Sequence, residues 1–274
     1  MTSLPNDSRP SLAVETFDLV RRFGVVAAVD HINLQVNRGS FFGFLGPNGA
    51  GKSTTIKMLT GLLAPSTGKI RVLGYDIETE PLEVKRRIGV MPEDLNLFER
   101  LTGAEMLSFT GRMYGLQKAE IAERARELLV LMELEGEPRK LIVEYSHGMK
   151  KKLSLACALI HRPEILFLDE PFEGVDAIAS RTLKDLLMKL TARGLTVFLT
   201  SHVLETVERL CTDIAIIARG KLLASGSLAE LRKGIPTGEE DGRAVQPLSL
   251  EEYFIRIVGG TRSTGEEEVL QWLT

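Results

Sequence analysis

The sequence has few of the residues that hold small secreted domains or metal-bound domains together. Its 274 residues include two cysteines, four histidines and one tryptophan. Cys157 and Cys211 lie in apolar patterns typical of buried helix or helix-end positions, and the histidines lack zinc-ligand spacing. We therefore expect neither a disulfide framework nor a zinc site, and we expect a reducing compartment.

Long apolar runs and an excess of positive charge are also missing. No apolar run approaches the ~18–20 residues that a membrane-spanning helix needs, and residues 1–10 are polar, unlike a signal peptide. The formal net charge of −3 creates no overall field that would attract nucleic acid. We expect a cytoplasmic protein that needs a partner for any role at a membrane.

The pattern of apolar residues predicts an α/β core. A chain of 274 residues, 44% hydrophobic and 26% charged, suits one large α/β domain or two small ones. Strands are predicted at 12–19, 27–36, 41–45, 69–73, 88–91, 165–168, 196–199 and 214–218. The last three are unbroken apolar runs separated by helical patterns, as in a doubly wound sheet covered on both faces.

A helical region interrupts these strands. Residues 101–134 have a helical period, and Thr102 and Glu105 have capping-box spacing. Its two apolar stripes are Met106, Phe109 and Met113, then Ile121, Ala125, Leu128, Leu129 and Met132. A further helix is predicted from about Ser146 to Ile160, with Lys150, Lys151 and Lys152 mostly on a solvated face.

The composition changes after Leu231. Residues 234–247 are rich in glycine, proline and acids, and this predicts a linker. Two short helices are predicted beyond it, because Ser249 with Glu252 and Thr264 with Glu267 have capping-box spacing.

One glycine-rich stretch carries the clearest chemical signal. Gly46, four further residues and then Gly51-Lys52-Ser53 form a phosphate-binding loop pattern between a strand and a helix pattern. Glycines let backbone N–H groups converge on an anion, and the N-terminus of the next helix adds a positive dipole. The Lys52 ammonium suits the β- and γ-phosphates, and the Ser53 hydroxyl suits Mg²⁺.

Two other predicted strands end in residues that can complete such a site. Asp169 and Glu170 follow one apolar run, and His202 follows the next. Because the carboxyl ends of parallel strands share one edge of the sheet, we expect these residues on the rim that carries the phosphate loop. Strand alternation is expected to turn Asp169 toward Mg²⁺ and Glu170 toward the γ-phosphate. A functional role is favoured for His202 over a structural one.

Taken in order, these motifs resemble the nucleotide-binding subunit of an ABC transporter, over roughly residues 12–232. The matches are Walker A at 46–53, the signature motif at 145–149, Walker B at 165–169 followed by Glu170, the D-loop at 174–176 and the switch histidine at His202. The resemblance implies a P-loop NTPase core of the RecA-like kind, with an antiparallel β subdomain and a helical insert at about 94–160. It divides the chain into a flexible N-terminus at 1–11, an ATPase domain at 12–233, and a linker with a short helical tail at 234–274.

The resemblance also implies roles for individual residues. Glu170, His202 and Lys52 are expected to act in ATP hydrolysis, and Mg²⁺ is expected on Ser53, Asp169 and Glu93. Phe23 is expected to stack on adenine. The full set expected to contact ATP is Phe23, Gly46, Pro47, Asn48, Gly49, Ala50, Gly51, Lys52, Ser53, Thr54, Ser146, Gly148, Met149 and Asp176.

The sequence departs from the family pattern in two places. The common signature is Leu-Ser-Gly-Gly-Gln, and this chain keeps Ser146 and Gly148 but has His147 and Met149. A serine-capped helix N-terminus should survive this change, whereas the contact usually made by the glutamine is in doubt. In the Q-loop, Glu93 stands where the family has glutamine.

The predicted function is therefore that of a transporter motor. The subunit is expected to form a dimer, most simply a homodimer, around ATP and Mg²⁺, and to drive a separate membrane permease from the cytoplasmic face. Leu95, Leu97 and Phe98 form an apolar cluster that could receive a helix of the permease or pack into the subunit's own core. Residues 249–260 resemble the tail of ATPases from small-molecule and drug exporters.

Two alternatives remain open at this point. A soluble ABC ATPase of translation, DNA repair or cluster assembly is disfavoured, because the chain has one cassette, no long heptad insert and no basic patch. A regulatory module that binds nucleotide without hydrolysing it is disfavoured by the presence of Glu170 and His202.

Overall fold

The strands form two sheets of different character. The computed structural model describes residues 12–136, 138–233 and 249–259. Its strands are β1 (Leu12–Phe23), β2 (Val26–Asn37), β3 (Phe41–Leu45), β4 (Thr67–Val72), β5 (Tyr75–Asp76), β6 (Ile88–Met91), β7 (Ile165–Asp169), β8 (Thr196–Ser201), β9 (Asp213–Ala218) and β10 (Lys221–Ser227). One sheet is antiparallel, in the order β2-β1-β4-β5. The other has the order β10-β9-β3-β8-β7-β6 and is parallel except for β10, which pairs antiparallel with β9.

The six-stranded sheet is covered on both faces, as its apolar runs predict. On one face Phe42, Phe44 and Phe198 belong to a cluster shared with the antiparallel sheet and the first helix. On the other face Phe41 and Leu45 belong to a cluster that contains buried residues of the helices after residue 102. Successive side chains of β3 therefore pack into clusters on opposite faces of the sheet. This is the period-two alternation of a strand that is buried on both sides.

The helices cover the six-stranded sheet or form an insert between two of its strands. They are α1 (Lys52–Leu59), α2 (Pro81–Arg87), α3 (Gly103–Met113), α4 (Lys118–Leu131), α5 (His147–Leu159), α6 (Ala177–Thr191), α7 (Leu204–Leu210), α8 (Leu228–Lys233) and α9 (Leu250–Gly259). The insert is α3, α4 and α5, which lie in the chain between β6 and β7. Among the described residues, no helix has both the length and the apolar character needed to cross a membrane.

The helix caps agree with the predicted capping boxes in the described part of the chain. Thr102 accepts the N–H of Glu105 through its hydroxyl, and the Glu105 carboxylate accepts the N–H of Thr102. Ser249 and Glu252 make the same pair of contacts at the start of α9. The pair Thr264 and Glu267 lies outside the described residues, as do the predicted flexible residues 1–11 and the whole of the predicted linker at 234–247.

Several details differ from the predictions. The predicted stripe of α3 is only partly buried, because Met113 is 72% exposed and Phe109 is also exposed, whereas Met106 is buried. The predicted solvated face of α5 is wrong for Lys151 and Lys152, which are both buried. The two cysteines are free and buried, and burial raises the pKa of the Cys157 thiol to about 11.

Candidate active site

The phosphate loop occupies the turn between β3 and α1. A side-chain carbon at Gly46 would lie 2.4 Å from the Ile217 carbonyl oxygen, and one at Gly51 would lie 2.4 Å from that of Ala28. Gly51 also has a φ of 108°, which other residues rarely adopt. Only glycine therefore allows the loop to pass this close to β2 and β9, so that α1 begins at Lys52 with its N-terminus open to an anion.

Lys52 folds back over this loop. Its ammonium group is almost fully buried and donates to the Gly46 carbonyl oxygen at 2.8 Å. The same nitrogen lies 3.3 Å from Oε1 of Glu170. The loop carbonyl oxygen and the buried carboxylate hold the Lys52 ammonium at the loop, where it can pair with a phosphate.

A pocket of about 270 Å³ lies over the loop. The residues that line it are Ala28, Pro47, Asn48, Gly49, Gly51, Lys52, Ser53, Thr54, Glu93, Glu170 and Glu173. Seven of the residues expected to contact ATP from the loop line this pocket, whereas the buried Ala50 and Gly46 shape the loop from beneath.

Asp169 and Glu170 reach the same rim from the end of β7. Asp169 is buried, and its Oδ1 accepts a hydrogen bond from the Thr200 hydroxyl of the neighbouring strand β8. Glu170 does not continue the strand, because its φ of 46° is left-handed. Its N–H donates to Thr200 Oγ1 at 3.1 Å, and its carbonyl oxygen accepts from the Lys151 ammonium at 2.6 Å. The divergence of the two carboxylates therefore comes from a left-handed residue, and the predicted cause, strand alternation, is wrong.

His202 completes the cluster from the end of β8. Its Nδ1 lies 3.1 Å from Oε1 of Glu170, the same oxygen that faces Lys52. That oxygen is buried and makes no hydrogen bond of good geometry to the described residues. A buried carboxylate oxygen with free acceptor capacity at the phosphate pocket is placed to accept a hydrogen bond from a water molecule.

Lys151 is a site residue that the sequence analysis missed. It is 2% exposed, and its ammonium supports the backbone of Glu170 from α5. Burial lowers the pKa of Lys151, while Glu173 and Glu170 oppose this shift through their charges. The sequence shows only a run of three lysines after the signature motif, which does not distinguish Lys151 from its neighbours.

The oxygen atoms in the pocket fit a Mg²⁺ ion bound together with phosphate. The Ser53 hydroxyl donates to Oε2 of Glu93 at 3.5 Å, and Asp169 lies buried on the neighbouring rim. Hydroxyl and carboxylate oxygens are hard ligands, and Mg²⁺ in nucleotide sites takes few protein ligands and completes its shell with phosphate and water. Accordingly, among the described residues no cluster of three or more acidic, histidine or cysteine side chains forms a metal site by itself.

The signature residues lie together but away from the phosphate pocket. The Ser146 hydroxyl caps α5 by accepting the N–H of Met149 at 3.2 Å. Asp176 caps α6 by accepting the N–H of Ala179, and its Oδ2 lies against Gly148. Ser146, Gly148, Met149 and Asp176 are not part of the pocket lining. The N-termini of α5 and α6 therefore lie beside each other and outside the lining of the phosphate pocket.

Phe23 also lies apart from the pocket lining. It ends β1, is 50% exposed, and has the Arg21 guanidinium 4.7 Å from the centre of its ring. An exposed aromatic ring with a cation on one face leaves the other face free for a planar ligand. Stacking of Phe23 on adenine stays a prediction.

Comparison with known proteins gives the family. The sequence pattern of the ABC transporter family matches residues 29–173, more than half of the chain. The daunorubicin/doxorubicin resistance ATP-binding protein DrrA of Streptomyces peucetius is 40% identical over 229 residues, which are 84% of this chain and 69% of that protein. The bacitracin transport ATP-binding protein BcrA of Bacillus licheniformis is 38% identical over 224 residues, 81% of this chain and 72% of that protein.

A solved structure supports the same assignment. An ATP-binding subunit of an ABC transporter superposes with a TM-score of 0.80 at 32% identity, covering 89% of this chain and 99% of that one. This confirms the predicted P-loop NTPase fold with its antiparallel sheet and helical insert. The chain therefore belongs to the ABC transporter family, as one of its ATP-binding subunits of the ATPase class.

Proposed function

We propose that two copies of this chain close around two ATP molecules and that hydrolysis drives transport through a separate membrane subunit. The observation that carries the proposal is the separation of the signature residues from the phosphate pocket within one chain. Ser146 and the N-terminus of its helix offer donors that suit a phosphate, yet they lie outside the lining of the chain's own phosphate pocket. A second chain would supply a phosphate loop to face them, and each ATP would join the two surfaces.

The chemistry follows from the contacts around Glu170. The carboxylate accepts a proton from the water that attacks the γ-phosphorus, while Lys52 and His202 offset the negative charge that develops on the phosphoryl oxygens. Ser53, Asp169 and Glu93 would hold Mg²⁺, which neutralises phosphate charge when bound. Loss of the γ-phosphate removes the charge that joins the two surfaces, so the dimer opens after each turnover.

The relatives indicate the kind of cargo. Two proteins similar to this chain are named for resistance to daunorubicin and doxorubicin and for bacitracin transport. We infer that this subunit acts on the cytoplasmic face of a membrane and powers the export of a small molecule by its permease.

The central test combines two substitutions. Glu170→Gln should keep ATP binding and lower turnover by at least ~10²-fold, the usual scale for general-base work. With ATP bound, light scattering should then show a dimer. Ser146→Asp in the same background keeps a good helix cap but places a negative charge against the partner's ATP, so this double variant should bind ATP and remain monomeric.

Two outcomes would contradict the proposal. Near-normal hydrolysis by Glu170→Gln would assign the base to another group. A monomer of Glu170→Gln with ATP bound, or a dimer that Ser146→Asp does not disturb, would reject the composite site.

A further inference from the structure

Lys184 contacts both chain segments that follow the two candidate catalytic side chains. Its Nζ lies 5.0 Å from the centre of the Phe172 ring and donates to the Thr206 hydroxyl at 3.3 Å. Phe172 comes two residues after Glu170, and Thr206 lies in α7, four residues after His202. One side chain of α6 therefore joins the loop after β7 to the helix after β8.

These residues surround one small cavity. Glu170, His202, Phe172, Lys184 and Thr206 all line a space of about 190 Å³. Glu170 also lines the pocket over the phosphate loop, so its side chain borders both spaces. Because a cavity provides no packed atoms to hold its walls apart, the separation of the walls depends on the directional contacts around it.

Other contacts hold the loop after β7 or the turn after β8, but they do not connect the two segments. Ser201 Oγ accepts the N–H of Val203 at 2.9 Å and so shapes the turn that carries His202. Lys151 and Thr200 hold the backbone of Glu170 on the opposite side. Of the contacts described here, those of Lys184 are the ones that connect the loop after Glu170 directly to α7.

We propose that Lys184 is a positioning residue of the ATPase site, which fixes the relative placement of Glu170 and His202 by holding Phe172 and Thr206. The inference rests on the proposed roles of Glu170 and His202. The ammonium attracts the face of the Phe172 ring and donates to Thr206 at the same time, which an apolar side chain of equal length cannot do. Without this bridge, the 3.1 Å approach of His202 Nδ1 to Glu170 Oε1 loses one of its supports.

A plainer explanation is that Lys184 only covers Phe172 with its aliphatic stem, as exposed lysines often do. The two explanations differ in their consequences. Methionine would keep the stem over the ring and remove the ammonium, so it should be harmless if Lys184 only covers Phe172. If the bridge positions the site, methionine should slow the chemical step, whereas arginine should restore it, because guanidinium also stacks on aromatic rings and donates.

The experiment compares ATP hydrolysis by the full chain carrying Lys184→Met, Lys184→Arg or Lys189→Met. Lys189 is an exposed lysine of the same helix and serves as the matched control. Lys184→Met should lower kcat by about tenfold, because small misplacement of a base and its partner is costly. Its KM for ATP should stay within about twofold, since Lys184 does not line the phosphate pocket. Lys184→Arg should recover most of the loss, and Lys189→Met should match the wild type.

Glu170→Gln, measured beside these variants, separates the possible failures. If Glu170→Gln loses turnover but Lys184→Met stays within about twofold of wild type, the positioning role is rejected and the proposed function stands. A loss in Lys184→Met that arginine does not recover, or that appears equally in Lys189→Met, also rejects it. If Glu170→Gln itself retains turnover, the role of Glu170 fails and the inference falls with it.

Discussion

At the scale of single residues, three carboxylates face the phosphate pocket, and Glu93 is the one in contact with Ser53. Glu93, Glu170 and Glu173 line the same space as Lys52. The Ser53 hydroxyl donates to Glu93 at 3.5 Å, so both oxygens can meet one metal ion. A glutamine at this position would offer a neutral carbonyl oxygen, whereas glutamate adds a charge that repels phosphate when the metal is absent.

Glu93→Gln should therefore change the metal dependence of nucleotide binding. We expect ATP to bind the variant better without Mg²⁺, by about threefold to tenfold, and to gain less affinity when Mg²⁺ is added. The measurement is ATP affinity by calorimetry, with and without Mg²⁺. Glu173→Gln is the control, because it removes a carboxylate from the pocket lining but no contact with Ser53. If affinities and hydrolysis rate of Glu93→Gln stay within about twofold of wild type, Glu93 has no special role.

Residue identities were predictable where the chemistry depends on local spacing. The loop, Asp169, Glu170 and His202 stand directly in the sequence at strand ends, and all of them reach one rim. The left-handed conformation of Glu170 was not predictable, because it is stabilised by Thr200 and Lys151 from distant segments. For the same reason, the burial of Lys151 could not be deduced from a run of lysines.

At the scale of elements, the helical insert presents an exposed aromatic pair. Phe98 is 52% exposed and meets Phe109 of α3 edge-to-face, with 5.0 Å between ring centres. Leu95 and Leu97 instead pack against the core, so the predicted apolar cluster divides between the two alternatives. Phe98 lies five residues after Glu93 in the chain, so an exposed apolar side chain stands close in sequence to a residue of the phosphate pocket.

Phe98→Asp should separate membrane attachment from hydrolysis. We expect the variant to lose co-purification with a membrane subunit from detergent-solubilised membranes, because a charge would replace an apolar contact. Its basal ATPase rate should stay within about twofold, since Phe98 does not line the phosphate pocket. Phe17→Asp is the control, because Phe17 is 41% exposed on the antiparallel sheet. Unchanged co-purification of Phe98→Asp would reject this surface.

Elements were predictable in proportion to their burial. The strands at the centre of the six-stranded sheet are unbroken apolar runs, and all of them appear where predicted. The edge strand β10 was missed, because its residues are half exposed and include Ser225 and Gly226. A weak sequence signal for β10 was the glycine in Arg219-Gly220. In the structure both residues have positive φ and form the two-residue turn between β9 and β10.

At the scale of the whole molecule, the helical insert meets the core at His161. Its Nε2 contacts the Ile88 carbonyl oxygen of β6 at 2.9 Å, and its ring stacks on Tyr114 at the end of α3, with 3.6 Å between ring centres. Its Nδ1 is buried and has no partner among the described residues. Burial lowers the pKa of His161, and the nearby Arg124 lowers it further, against the opposing effect of the Ile88 carbonyl. Burial and Arg124 therefore favour the neutral imidazole at the junction of insert and core.

The free energy of unfolding should consequently depend on pH through His161. Below the ordinary histidine pKa of about 6.5, the unfolded chain binds a proton that the folded chain excludes until a lower pH. The contribution of His161 to the free energy of unfolding is therefore present in full above about pH 6.5. It falls as the pH is lowered, by at most about 1.4 kcal/mol per pH unit for one proton. His161→Gln can still donate to Ile88 but does not titrate, so urea unfolding between about pH 5.5 and 7.5 should show a flatter profile than wild type. Equal slopes in wild type and His161→Gln would show that His161 does not couple protonation to the joining of insert and core.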